Sequence, residues 1–169
     1  MNDKNLEIIG STEYVEIAGI KNVPAKTDTG ADSSSVWASG IDVDKDGTLS
    51  FQLFDKKSPL YTGEVIKRQK GDYKVKIVRS GHGDERIRYR TELDLTVKGR
   101  KIHAMFNLAD RSKNNFPVLI GRRTLNGKFL VDVSKMAVKK KQSNPKTPKL
   151  NAELEKNPYA FHQKYGKTM

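Results

Sequence analysis

Hydrophobic and polar positions alternate with a period of two along most of the chain. Leu6-Glu7-Ile8-Ile9 and Glu13-Tyr14-Val15-Glu16-Ile17 read as strands, broken at Gly10-Ser11. Residues 36–43 and 48–54 flank Asp44-Lys45-Asp46-Gly47, a strong turn signal, and predict a hairpin. A polar loop follows over 55–63, with Pro59 inside it. Residues 64–79 alternate apolar and basic side chains, interrupted at Gly71-Asp72, and Ser80-Gly81-His82-Gly83 is a glycine-rich turn. The alternation is clean over 87–97, turns at Lys98-Gly99-Arg100 and returns over 101–108. Val118-Leu119-Ile120 is a short apolar strand, 121–125 has room for one helical turn, and 129–133 is a last core strand. Trp37 and Phe129 are expected in the core. Short strands, regular turns and almost no 3.6-residue period predict an all-β barrel or sandwich.

Composition narrows the chemistry. At 169 residues the chain suggests one domain, and with no cysteine it has no disulfide, thiolate nucleophile or cysteine-based zinc site. The N-terminus lacks an apolar signal core, and no segment approaches the roughly 18 apolar residues of a membrane span. A soluble, cytoplasmic protein without a membrane partner is the expectation. The net charge is +12. Eight lysines against two glutamates give residues 139–169 half of it. The boundary falls there: a β-domain over 1–138, then a basic linker and tail over 139–169. Within the tail, 150–156 reads as a short helix, and Asn157-Pro158 starts another over 159–165. The surplus charge favours anionic partners such as nucleic acid, the ribosome or acidic polypeptides. A solubilising surface explains it equally well.

One stretch resists explanation by packing: Lys26-Thr27-Asp28-Thr29-Gly30-Ala31-Asp32-Ser33-Ser34-Ser35. Asp and Gly are depleted in strand interiors, yet this pair sits between two β-like runs. A tight turn there holds a carboxylate near backbone N–H groups, with the Thr hydroxyl locking the turn. Taken alone, it reads first as a surface turn. Thr27-Asp28-Thr29-Gly30-Ala31-Asp32 nevertheless resembles the catalytic turn of retroviral-type aspartic proteases, and Phe116-Pro117-Val118-Leu119-Ile120-Gly121-Arg122 resembles their second signature. The fuller pattern is similar to a bacterial retropepsin-like family whose members carry the label ATP-dependent zinc protease. It includes Ser34-Ser35, Leu108-Ala109-Asp110-Arg111, Leu125 and Phe129-Leu130-Val131-Asp132, and the resemblance covers residues 13–133.

The resemblance implies a small closed β-barrel with one short helix after Ile120-Gly121-Arg122. It implies an aspartic peptidase in which Asp28, Thr29 and Gly30 form the catalytic turn. Such chemistry needs two carboxylates sharing one proton. The chain has one Asp-Thr-Gly, so a homodimer is expected, each subunit supplying Asp28. Ala31 and Asp32 would line the substrate channel, although Asp32 is equally a turn residue. Gly81, His82 and Gly83 would belong to a mobile flap, or to an ordinary hairpin turn. Asp110 and Arg111 would lie near the cleft, and Arg122 would tie the helix to the catalytic turn or to the partner subunit. Some members of the family accompany ATP-grasp glutamate ligases and remove glutamate tails from a ribosomal protein, so a glutamate-rich peptide is a candidate substrate and the basic tail from Lys139 could contact ribosomal RNA or the acidic substrate tail itself. The zinc and ATP label finds no support. His82, His103 and His162 are scattered, His-Glu-x-x-His is absent, and so is a phosphate loop. No cofactor or metal is expected. A rival reading is a non-catalytic module that uses the barrel and basic tail to bind ribosome, nucleic acid or an acidic partner.

Overall fold

The computed structural model describes residues 5–79, 83, 85–139 and 144–168. The chain divides into two compact units, Met1–Lys139 and Lys140–Met169. The first contains β1 (Glu7–Ile17), β2 (Ile20–Asp28), β3 (Ser34–Val43), β4 (Leu49–Leu53), β5 (Ile66–Arg68), β6 (Tyr73–Arg79), β7 (Glu85–Val97), β8 (Arg100–Ala109), β9 (Val118–Gly121), a one-turn helix α1 (Arg122–Leu125) and β10 (Phe129–Met136). Pairing runs β1-β2-β9-β3-β8-β7 and closes where Val15, Glu16 and Ile17 meet Val97, Thr96 and Leu95. The result is a closed six-strand all-β barrel, with one short helix following Ile120-Gly121. Three pieces hang from it: β10 parallel to β1, β6 on β7, and β4 with β5 on β3.

The alternation read from the sequence becomes the inside and outside of this barrel. Ile17, Val23, Val36, Leu95, Val97, Phe106, Val118 and Ile120 are fully buried. Each contributes about 1.5–3 kcal/mol relative to exposure. Phe129 is buried as well, and Trp37 packs edge-on against Phe54 with ring centroids 6.1 Å apart.

Two segments depart from the sequence reading. Gly10-Ser11 does not break the first strand; β1 runs through it with a register shift between Gly10 and Thr12. A Cβ at Gly10 would lie 2.5 Å from the Lys135 carbonyl oxygen, so glycine there lets β10 close in. The Gly10 N–H donates to the buried Glu13 carboxylate at 2.6 Å, which pairs with Lys98 at 3.6 Å. The second departure is β2, whose residues 20–28 the sequence reading left unassigned. Pro24 pairs with Tyr14 of β1, but pairing with β9 begins only at Ala25. At the proline β2 is locally an edge, where a missing donor is tolerated.

In the second unit, α2 (Thr147–Lys156) starts three residues earlier than expected, and α3 is Pro158–Tyr165. The Ala160 N–H donates to the Asn157 side chain at 3.0 Å, capping α3, with Pro158 in the first turn. Lys164 reaches Glu153 at 2.7 Å, and no residue of either helix is buried. Among the described residues no helix is long and apolar enough to cross a membrane.

Candidate active site

The barrel places β9 between β2 and β3. It runs parallel to β2, with Asp28 opposite Gly121, and antiparallel to β3, with Val36 opposite Val118. The chain leaving β2 must therefore cross the end of β9 before returning along β3, and residues 29–33 make that crossing. The two sequence motifs, some ninety residues apart, meet here. Gly121 is imposed by this contact: a Cβ would sit 2.5 Å from the Ser33 carbonyl carbon. The Gly121 N–H donates to Ser34 Oγ at 3.0 Å, and Ser34 Oγ contacts Thr124 Oγ1 at 2.7 Å, both buried. From α1, the Arg122 N–H donates to the Ala31 carbonyl at 2.7 Å and the Arg123 N–H to that of Asp32 at 3.3 Å. The helix backbone thus clamps the loop.

Asp28 ends β2 half-buried, and its Oδ1 accepts N–H bonds from Gly30 (3.0 Å) and Ala31 (3.1 Å). Its neighbour Thr27 points inward and donates to the Gly10 carbonyl at 2.8 Å, fixing the turn to β1. Alternation along β2 then sends the Asp28 side chain the other way. Thr29 and Gly30 are exposed on the turn, and Ala31 is half-buried.

Asp32 sits among three cations. Lys76 lies 3.2 Å away, Arg122 3.1 Å and Arg123 3.0 Å. Hydrogen bonds from Arg122 and then Lys76 hold its carboxyl well below the ordinary value of 3.8, at about 2. Arg122 therefore ties α1 to the loop after Asp28 through Asp32. Arg111, after β8, donates to the Phe116 carbonyl at 3.0 Å. Burial and then the neighbouring charge of Arg88 push its guanidinium below the usual range, while Asp28 opposes the shift. Arg111 thus stands within electrostatic reach of both the candidate nucleophile-activating acid and the β7 strand. Asp110 is exposed and accepts an N–H bond from Ser112 at 2.9 Å, and the Ser112 hydrogen bonds lower its pKa. Gly83 has φ +86° at the end of the β6–β7 hairpin; Gly81 and His82 lie outside the described residues.

The structure adds residues that the sequence motifs did not mark: Lys76 and Arg88 on the hairpin, Arg123 on α1, and Asn107, whose Nδ2 donates to Ser33 Oγ at 2.9 Å. The alternation of basic residues over 64–79 carried a signal for Lys76. Nothing local connected it to a loop 44 positions earlier.

A closed β-barrel whose single Asp-Thr-Gly turn is braced by a Gly-Arg helix start defines the retropepsin-like class. Residues 8–142 match the family model described as RimB-like, retropepsin-like aspartic endopeptidase RimB, and the chain belongs to that family. A curated relative from Desulfotalea psychrophila, named "Probable alpha-L-glutamate ligase", is 29% identical in an alignment of 133 residues that covers 75% of this chain. The chain spans only 28% of that relative's length. The crystal structure of a Legionella pneumophila protein of unknown function shares the fold, with a TM-score of 0.59 and 24% identity, over 77% of this chain and 95% of the other.

Proposed function

We propose that this protein is an aspartic peptidase that works as a homodimer, each subunit supplying Asp28 to a dyad that shares one proton. The observation that carries the reading is the presentation of Asp28. Its carboxylate is held by two backbone N–H groups on a half-exposed turn braced from β1, β9 and α1. In the dyad the ionised carboxyl takes a proton from water and the neutral one donates to the scissile carbonyl oxygen. Thr29 and Gly30 would meet their counterparts across the two-fold axis, and Ala31 would face the substrate.

The edge of the sheet supports dimerisation. β10 ends the order of paired strands, and Leu130 with its ladder neighbour Ile8 are 53% and 47% exposed. An unpaired apolar edge is a template for another strand. A surface cavity of about 400 Å³ joins Thr29, Arg122 and Leu125 to Phe129, Leu130 and Val131, so the exposed turn and the free edge share one surface.

An acidic peptide fits the charge of the cleft. Lys74 opposes Arg90 and Lys76 opposes Arg88 across the β6–β7 ladder, like-charge pairs that a bound carboxylate would offset. Glutamate-rich substrates, a functional link to an ATP-grasp glutamate ligase, contact of the basic tail with ribosome or nucleic acid, and a cytoplasmic setting all belong to this proposal. The name of the Desulfotalea relative is consistent with the ligase link.

Asp28→Asn tests the reading. The peptidase should lose about 10²–10⁴-fold or more in turnover of oligoglutamate-tailed peptides while still dimerising. Unchanged turnover, or partner binding that survives with no cleavage in the wild type, would instead favour the non-catalytic module.

A further inference from the structure

The β6–β7 hairpin projects beyond the barrel. Pairing of β7 with β8 stops at Arg90 opposite Asn107, so, among the described residues, 85–89 of β7 are laddered only to β6. The outward apolar face of these arms is uncovered: Val75, Ile77 and Ile87 are 59%, 58% and 74% exposed. The base is packed, with Tyr73 edge-on to Tyr89 at 5.9 Å and Arg68 bonded to Thr91. The other face carries cations, and one of them, Arg88, stands near the like charge of Arg111. Lys76 bridges from this face to the loop after β2, with its ammonium 3.2 Å from Asp32 Oδ2 and 3.1 Å from Ser33 Oγ. Asp32 would not be left bare if Lys76 withdrew, because Arg122 and Arg123 hold it from α1.

We infer that Lys76 is a positioning residue that fixes the β6–β7 arms against the catalytic turn, with Asp32 as its exchangeable counterion, released when a carboxylate of the bound peptide takes its place. This rests on the peptidase reading for the site, but its test does not need turnover. Lys76 is bound in the free protein to an acid that has two other partners, so substitution of one carboxylate for another costs little. An incoming acidic side chain would inherit the ammonium and draw the arm with it.

The experiment is hydrogen exchange over residues 73–79 and 85–90 in full-length Asp28→Asn protein, with and without a hexaglutamate peptide. Lys76→Met should raise exchange in these arms by about twofold to fivefold, the range set by a partly exposed ion pair. Exchange in β2 and β9 should be unchanged. Lys76→Arg, which keeps the charge, should retain protection. The peptide should protect the arms with Lys76 present and fail to do so in Lys76→Met. Unchanged exchange in Lys76→Met, an equal rise throughout the barrel, or loss of protection in Lys76→Arg as well would overturn the positioning role. Equal peptide protection with and without Lys76, or none in either, would overturn the exchange step. In protein with Asp28 intact, Lys76→Met should raise KM more than it lowers kcat. Failure of the peptidase reading would show separately, as turnover insensitive to Asp28→Asn.

Discussion

A methyl group at position 121 would press to 2.5 Å of the Ser33 carbonyl carbon and 2.6 Å of its oxygen. Backbone cannot retreat there, because the same loop is bonded to α1 on one side and to β9 on the other. Gly121→Ala should therefore destabilise the first unit by about 1–3 kcal/mol, the usual cost of overpacking, measurable as a lower denaturant midpoint. It should also displace the Asp28 turn and reduce turnover. Asp32 makes a different prediction. Its folded pKa, about 2, lies below the ordinary 3.8, so its ion pairs stabilise the fold above that ordinary value. Their contribution fades as pH falls from about 3.8 toward about 2. Asp32→Asn should be less stable than wild type at neutral pH, and the two unfolding curves should converge at the acid end of that window. The difference should shrink with added salt, since the carboxylate is partly exposed.

At the scale of elements, the proposed dimer depends on the edge of β10, which ends the order of paired strands among the described residues. Leu130 is half exposed, so Leu130→Asp removes little from the core while placing a charge on the proposed pairing edge. The expected outcome is a folded monomer by sedimentation, with turnover lost at concentrations where the wild type is dimeric. A folded, active monomer would sink the dimer. Elements were legible where the period of two ran uninterrupted, as in β7, β8 and the β3–β4 hairpin. They were not where a glycine or proline sat inside a strand. Gly10 is read locally as a breaker and Pro24 lies in a stretch read as no element, yet the first is demanded by the approach of Lys135, and the second sits where β2 lacks a neighbour on one side. Both facts depend on strands distant in sequence.

For the whole molecule, charge is the property with consequences beyond any single contact. A net +12, with basic residues laddered on the β6–β7 hairpin, should steer acidic peptides toward the cleft. The value of kcat/KM for an oligoglutamate peptide should fall about tenfold or more from low ionic strength to about 1 M salt, where the screening length is only about 3 Å. A neutral peptide should show little change. Similar salt sensitivity for both peptides would argue against steering.

The sequence by itself determined which residues face the core, that the chain is built of strands, and where the two signatures lie. Those properties are local: they follow from alternation, turn chemistry and the few residues that suit a carboxylate-bearing loop. The tertiary structure decided that β9 threads between β2 and β3, bringing Gly121 under Ser33. It also brought Lys76, Arg122 and Arg123 around Asp32 and set Arg111 within reach of Asp28. Such meetings are fixed by barrel closure and strand order, which no window along the chain records, because the free energy that selects them comes from burying all the strands together.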